Sequence, residues 1–140
     1  MRIEYNLMPQ GQVLQDFNDC RARNSFIMGP LGSGKTVQCI LKLFDLMCEQ
    51  EPVKDKKHKN YNVRLSRVIA ARNTYSELFS TTIKDWLEIH GELGDFKQGN
   101  KEPPTHFMRF NLEDGTEVEC DVVFIAFDRP EHVKIRRAHF

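Results

Sequence analysis

The residues with the clearest chemical purpose are Gly29-Pro30-Leu31-Gly32-Ser33-Gly34-Lys35-Thr36, which fit the pattern G-x-x-x-x-G-K-[ST]. Glycines at these steps let successive backbone N–H groups turn toward one point, where they meet the phosphates of a nucleotide such as ATP. Lys35 is the side chain that reaches the β- and γ-phosphates, and the Thr36 hydroxyl is placed to ligate the Mg²⁺ that bridges phosphate oxygens. The competing reading is a glycine-rich turn that ends in Lys-Thr by chance. Context argues against it, because an apolar run, Ser25-Phe26-Ile27-Met28, precedes the loop and an amphipathic helical pattern follows it.

Three further positions offer chemistry, each with a plain alternative. Gln10 and Gln15 lie upstream of the loop, where one amide can both donate to and accept from an adenine edge; equally, amides are common on the outer face of a small helix. Arg72 ends an apolar stretch, and the carboxyl end of a parallel strand is where α/β proteins place functional groups. It can face the nucleotide or a neighbouring subunit, or simply cap the strand end by a salt bridge. Asp128 follows the apolar run Val122 to Phe127 and on pattern alone serves as a Mg²⁺ ligand, directly or through a water, but Arg129 stands where a water-orienting Glu is wanted.

The elements that must position these groups are legible in order. Residues 9 to 24 predict a turn and a short helix with Val13, Leu14 and Phe17 on one side and Gln12, Gln15 and Asp16 on the other. Val37, Ile40, Leu41, Phe44, Met47 and Cys48 recur at helical steps, and that helix must stop before Glu51-Pro52. Leu65 to Ala71 predicts a buried parallel strand despite its interior Arg67. Ser76-Glu77 opens a helix with Leu78, Phe79, Ile83, Trp86 and Leu87 inward, Trp86 as core. Glycines 91, 94 and 99 with Pro103-Pro104 predict a loop over 91–104. Met108, Phe110 and Leu112, the turn Glu113-Asp114-Gly115-Thr116, and then Val118, Cys120 and Val122 alternating with acids predict a β-hairpin with a D-G turn.

Composition bounds the classes. At 140 residues, 40% hydrophobic and 29% charged, the chain suits one soluble domain with a real core. Net charge is zero but segregated: residues 53 to 72 hold seven Lys/Arg against one Asp, and 73 to 121 hold four against eleven acids. Residues 54 to 67 are therefore a candidate contact for a DNA backbone, against the ordinary reading of a solvated loop. The four cysteines and five histidines show no zinc-ligand spacing, so reduced core thiols are expected. No apolar run approaches the roughly 18 residues of a membrane span, and the first residues lack a signal-peptide core, which predicts no membrane association and a cytoplasmic protein.

Two stretches beyond the loop resemble the ATPase part of the large subunit of tailed-phage terminase, the motor that packages double-stranded DNA into proheads. They are Ala71-Arg72-Asn73-Thr74-Tyr75-Ser76-Glu77-Leu78 with Thr81-Thr82-Ile83-Lys84-Asp85-Trp86, and Phe124-Ile125-Ala126-Phe127-Asp128-Arg129-Pro130 with Val133. The resemblance implies an α/β fold built on a P-loop NTPase core, a mostly parallel sheet flanked by helices plus the hairpin, and ATP with Mg²⁺ as cofactors. It implies catalytic roles for Lys35 and Arg72, and double-stranded DNA, the terminase small subunit and the portal as partners of a homo-oligomer in the host cytoplasm. It also places the true acidic motif beyond Phe140 and leaves the nuclease domain out, so that residues 1–140 are expected to be a partial ATPase domain incomplete at its C-terminus: a truncated product, a fragment or a split gene. Two other classes remain: a nucleotide-binding module without turnover, and a small phosphotransferase with Asp128 on the metal and the loop at 91 to 104 as its lid.

Overall fold

The computed structural model describes residues 11–99 and 102–132, so Gln10 and Val133 lie outside the described residues. The chain divides into two compact units between Asp45 and Leu46.

The N-terminal unit holds helix α1 (Gln12–Asp19), the glycine-rich loop 29–36 and most of helix α2 (Lys35–Glu49). The apolar stripe of α2 behaves as its spacing predicts, with Ile40 and Leu41 buried. Between its members sit two buried polar side chains, Gln38 and Lys42. Gln38 Nε2 donates to Asn18 Oδ1 at 2.8 Å, and Asn18 Nδ2 donates to Asp45 Oδ2 at 3.0 Å. Ser25–Met28 is not a strand: it has no ladder partner among the described residues, and Phe26 and Met28 are 89% and 90% exposed. Apolar, β-favouring composition does not by itself make a strand, because a strand exists through its partner.

The C-terminal unit is a four-stranded sheet with one face covered by helix. Strands β1 (Val63–Arg72), β2 (Asp95–Lys97), β3 (Thr105–Asn111) and β4 (Glu117–Ala126) lie in the order β1-β4-β3-β2. Only β1 and β4 are parallel, in register from Val63 opposite Glu117 to Arg72 opposite Ala126; the other two pairings are antiparallel. The fold is therefore mixed α/β, and the predicted mostly parallel sheet is replaced among the described residues by a mostly antiparallel one. The reason is that β3 pairs antiparallel with β4 on one side and, on the other, with β2, three residues of the segment predicted as loop.

Between β1 and β2 runs one helical stretch: α3 (Tyr75–Glu77), a wide π-helical turn (Leu78–Ile83) and α4 (Lys84–His90). Its buried side is Leu78, Thr82, Ile83, Trp86 and His90. These meet the apolar face of the sheet, where Met108, Val118, Cys120, Val122 and Phe124 are fully buried. The Trp86 ring lies edge-on to Phe124 at 5.8 Å and to His90 at 5.0 Å, and its Nε1–H donates to His106 Nδ1 at 2.9 Å. Burial pushes the Cys120 thiol up to about 11. On the opposite face Arg67 pairs with Asp121 at 3.5 Å, and Arg109 pairs with Glu117 and, at 3.6 Å, Glu119.

Two close constraints shape the hairpin and the entry to β2. Gly115 at φ +85° makes the D-G turn, with Asp114 Oδ1 accepting from Thr116 N at 2.9 Å; those Thr116 bonds first, then Arg64, hold the Asp114 carboxyl below its ordinary value. The β3 strand ends at Asn111, so Leu112 belongs to the turn, donating its N–H to Thr116 O at 2.8 Å. Gly94, at φ +113°, admits no side chain: a Cβ there would lie 1.9 Å from Phe107 O.

Two buried imidazoles accept hydrogen bonds at Nδ1 and so must stay unprotonated there: His106 from Trp86, and His132 from Ala126 N at 3.1 Å. Burial lowers both below their ordinary value of 6.5. A depressed histidine is neutral in both states above that value, and below it only the unfolded chain takes up the proton. Stability is therefore expected to be full above pH 6.5 and to fall as the pH drops below it, by up to about 1.4 kcal/mol per pH unit for each histidine. The check is to compare urea midpoints of wild type and His106→Gln about one pH unit above, at, and about one unit below the ordinary imidazole value. The variant should show the shallower decline, and equal declines would show that His106 does not carry the effect.

Candidate functional site

The glycine-rich loop 29–36 is held at both ends. At its entry the Lys42 ammonium, buried on α2, donates to Phe17 O at 2.7 Å and to Ser25 Oγ at 3.1 Å, and lies 4.2 Å from the centre of the Phe17 ring. It thereby fixes the last turn of α1 and the segment leading to Gly29 to the same helix. At its exit Gln38 N donates to Gly34 O at 2.9 Å, which starts α2. Between these points Gly32 and Gly34 have φ of +75° and +82°, and Ser33 N donates to Pro30 O at 3.3 Å within the loop. No acid stands in the first turn of α2, so nothing on that turn offsets the positive end of the helix.

Lys35 closes the loop on itself. Its Nζ donates to Gly29 O at 2.6 Å, to Pro30 O at 2.5 Å and to Ser33 Oγ at 3.1 Å. A Cβ on Gly29 would come within 3.0 Å of Ser33 Oγ and 3.6 Å of Lys35 Cδ, so glycine here permits the lysine its position. All three acceptors are neutral. Phosphate oxygens make stronger, charge-assisted bonds, so an incoming phosphate can compete for this ammonium. Thr36 occupies the second position of α2, half-buried.

Gln15 is engaged elsewhere. Its Nε2 donates to both carboxylate oxygens of Asp19, at 3.0 and 2.8 Å, one turn along α1, and Gln12 Nε2 donates to Asp16 Oδ1 at 2.6 Å. In this arrangement the amide braces a helix surface. Beside α1 lies an open groove of about 470 Å³, walled by Val13, Phe17, Phe26 and Met28 with Asp16 and Asn24 at its polar edge. No sequence pattern marks the groove, and the one signal for Lys42 is a single lysine inside an apolar stripe.

Arg72 and Asp128 come together in the C-terminal unit. Past the end of the parallel ladder, Phe127 N donates to Arg72 O at 3.0 Å and Asp128 N to Asn73 O at 3.1 Å. Asp128 Oδ1 then accepts from Tyr75 N at 3.0 Å, and Thr74 Oγ1 accepts from Glu77 N at 3.2 Å, so two side chains cap the same helix start. Arg129 stacks over the Tyr75 ring at 4.3 Å. Arg72 Nε donates to Thr82 Oγ1 at 2.8 Å in the π turn. Each of these side chains has a positioning task at the carboxyl ends of β1 and β4.

The cap makes a separable expectation. Asp128→Ala should lower stability by about 1 kcal/mol, the usual loss for a helix cap, whereas Asp128→Asn keeps an acceptor and should stay near wild type. Urea midpoints measure both. Unchanged midpoints, together with a lost Mg²⁺ dependence of nucleotide affinity, would reassign Asp128 from the helix to the metal.

No family model matches the chain, and no curated protein and no solved structure matches it either.

Proposed function

We propose that the chain is the ATP-binding part of a tailed-phage terminase large subunit, a P-loop NTPase core of the motor that drives double-stranded DNA into proheads. The observation that carries the nucleotide reading is the loop itself: two glycines at positive φ, a lysine folded into the loop, and a fifteen-residue helix starting at Lys35 with no acid in its first turn. These residues fit a polyphosphate. The loop N–H groups and Lys35 hold the β- and γ-phosphates of ATP, and Thr36 supplies one oxygen to Mg²⁺, whose other positions go to phosphate oxygens and water. When bound, Mg²⁺ neutralises charge that develops on the phosphates. The terminase assignment rests on the stretches 71–78, 81–86 and 124–130, and with it come the small subunit, the portal and further copies of the subunit as partners in the host cytoplasm. Among the described residues no helix is long and apolar enough to cross a membrane.

A second reading, nucleotide binding without efficient turnover, is favoured by one observation. The carboxylate nearest to an acidic motif, Asp128, caps a helix, and its neighbour Arg129 has no acceptor with which to orient a water. The loop holds phosphates, but positioning of the attacking water supplies much of the remaining acceleration.

Both readings meet in one experiment. In titration calorimetry Lys35→Ala should lose most of the affinity for ATP and ADP; equal affinity in wild type and variant overturns nucleotide binding by this loop. Phosphate release is then followed with and without duplex DNA. Turnover on the order of 1 per second, the lower range of phosphoryl-transfer enzymes, lost in Asp128→Asn, would place the acidic motif at Asp128; turnover well below that favours the binding-only reading.

A further inference from the structure

Residues 53–62 form a loop that is closed at its base and braced within. Val53 N donates to Val63 O at 3.0 Å and Asn62 N to Val53 O at 2.9 Å, with Val53 bridged to Tyr61 and Asn62 in the left-handed region at φ +64°. Inside the loop Asp55 Oδ1 accepts from Lys57 N at 2.9 Å and His58 Nδ1 accepts from Asn60 N at 3.0 Å. The base is tied to the hairpin turn by Asn62 Nδ2 donating to Gly115 O at 3.1 Å. Arg64 binds Thr116 Oγ1, Asp114 and Gln50 O, and Arg67 pairs with Asp121. Both arginines are thus built into the sheet, and the basic stretch that the sequence suggested over 54 to 67 contracts to Lys54, Lys56, Lys57 and Lys59, all exposed.

We propose that this closed loop is a contact for the phosphate backbone of duplex DNA. The choice of DNA as occupant rests on the packaging function proposed above; the choice of a phosphate array rests on the loop. Four lysines face two carboxylates, of which Glu51 pairs with Lys54 at 3.5 Å and Asp55 is turned to the Lys57 N–H. The backbone that displays them is fixed by its own hydrogen bonds, so little ordering is left to be done on binding. Residues 54–60 carry no apolar side chain, which separates the loop from membrane-surface segments that insert one. The loop reads charge and not sequence, as a strand that must slide requires.

The test is fluorescence anisotropy of a short labelled duplex against salt, for wild type, for a variant with Lys54, Lys56, Lys57 and Lys59 all changed to Gln, and for a control with Lys84→Gln and Lys97→Gln. If all four lysines neutralise phosphates, their share of wild-type affinity falls about a hundredfold between roughly 50 and 200 mM salt, and the variant's log–log slope is lower by roughly 0.9 for each phosphate no longer neutralised. The control should match wild type. An unchanged slope and affinity in the quadruple variant, or a wild type that binds no duplex, overturns the proposal; so does loop-dependent binding to phosphatidylserine vesicles that exceeds binding to DNA. ATP titration of the same samples keeps the two readings apart. DNA binding abolished with ATP binding retained in the quadruple variant supports the loop, and loop-dependent DNA binding in a wild type that binds no ATP overturns the nucleotide reading alone.

Discussion

The parallel pairing of β1 with β4 is the constraint from which the C-terminal unit follows. Two parallel strands cannot be joined by a tight turn, and the connection must cross from one end of the sheet to the other. Here that connection is the helical run Tyr75–His90 together with β2 and β3. Because the turn after β4 bonds back to the end of β1, Phe127 N to Arg72 O and Asp128 N to Asn73 O, the end of β4 arrives where the helix begins, and the Asp128 carboxylate meets the first free N–H. Arg72, at the same strand end, reaches forward to Thr82. Two hydrogen bonds thus set the start and the middle of the helix, and Trp86 is delivered onto Phe124 and His106.

In the N-terminal unit the comparable role falls to Lys42. Burying an ammonium is costly unless its donors are satisfied, and this one is met by a helix-terminal carbonyl, a hydroxyl and an aromatic face. The arrangement uses one charge to align α1, Ser25 and α2 at once. The loop it precedes is the opposite kind of structure, with glycines in place of side chains and a lysine held only by neutral oxygens.

What the sequence disclosed was local. The stripe of α2 and the D-G hairpin depend on residues within a few positions of one another, and both take the predicted local form. The majority sense of the sheet was not legible, because which strand lies beside β4 is decided by long-range pairing; nor was β2, three residues whose order comes from β3. The π turn follows no local rule and coincides with the Arg72–Thr82 bond. Ser25–Met28 shows the converse, a strand-like composition without a ladder. At the site, the engagement of Asp128 with a backbone N–H 53 positions away lay beyond any pattern.

Cys120 turns the middle of this sheet into a chemical clock. Its sulfur is shut in beneath the helix, and burial that lifts the thiol to about 11 leaves almost none of it as the reactive thiolate at neutral pH. An alkylating reagent can therefore reach it only in the instants when helix and sheet part. With the half-buried Cys20, Cys39 and Cys48 replaced, the rate of its modification counts those partings, and any ligand that tightens the C-terminal unit would slow the count without touching the sulfur.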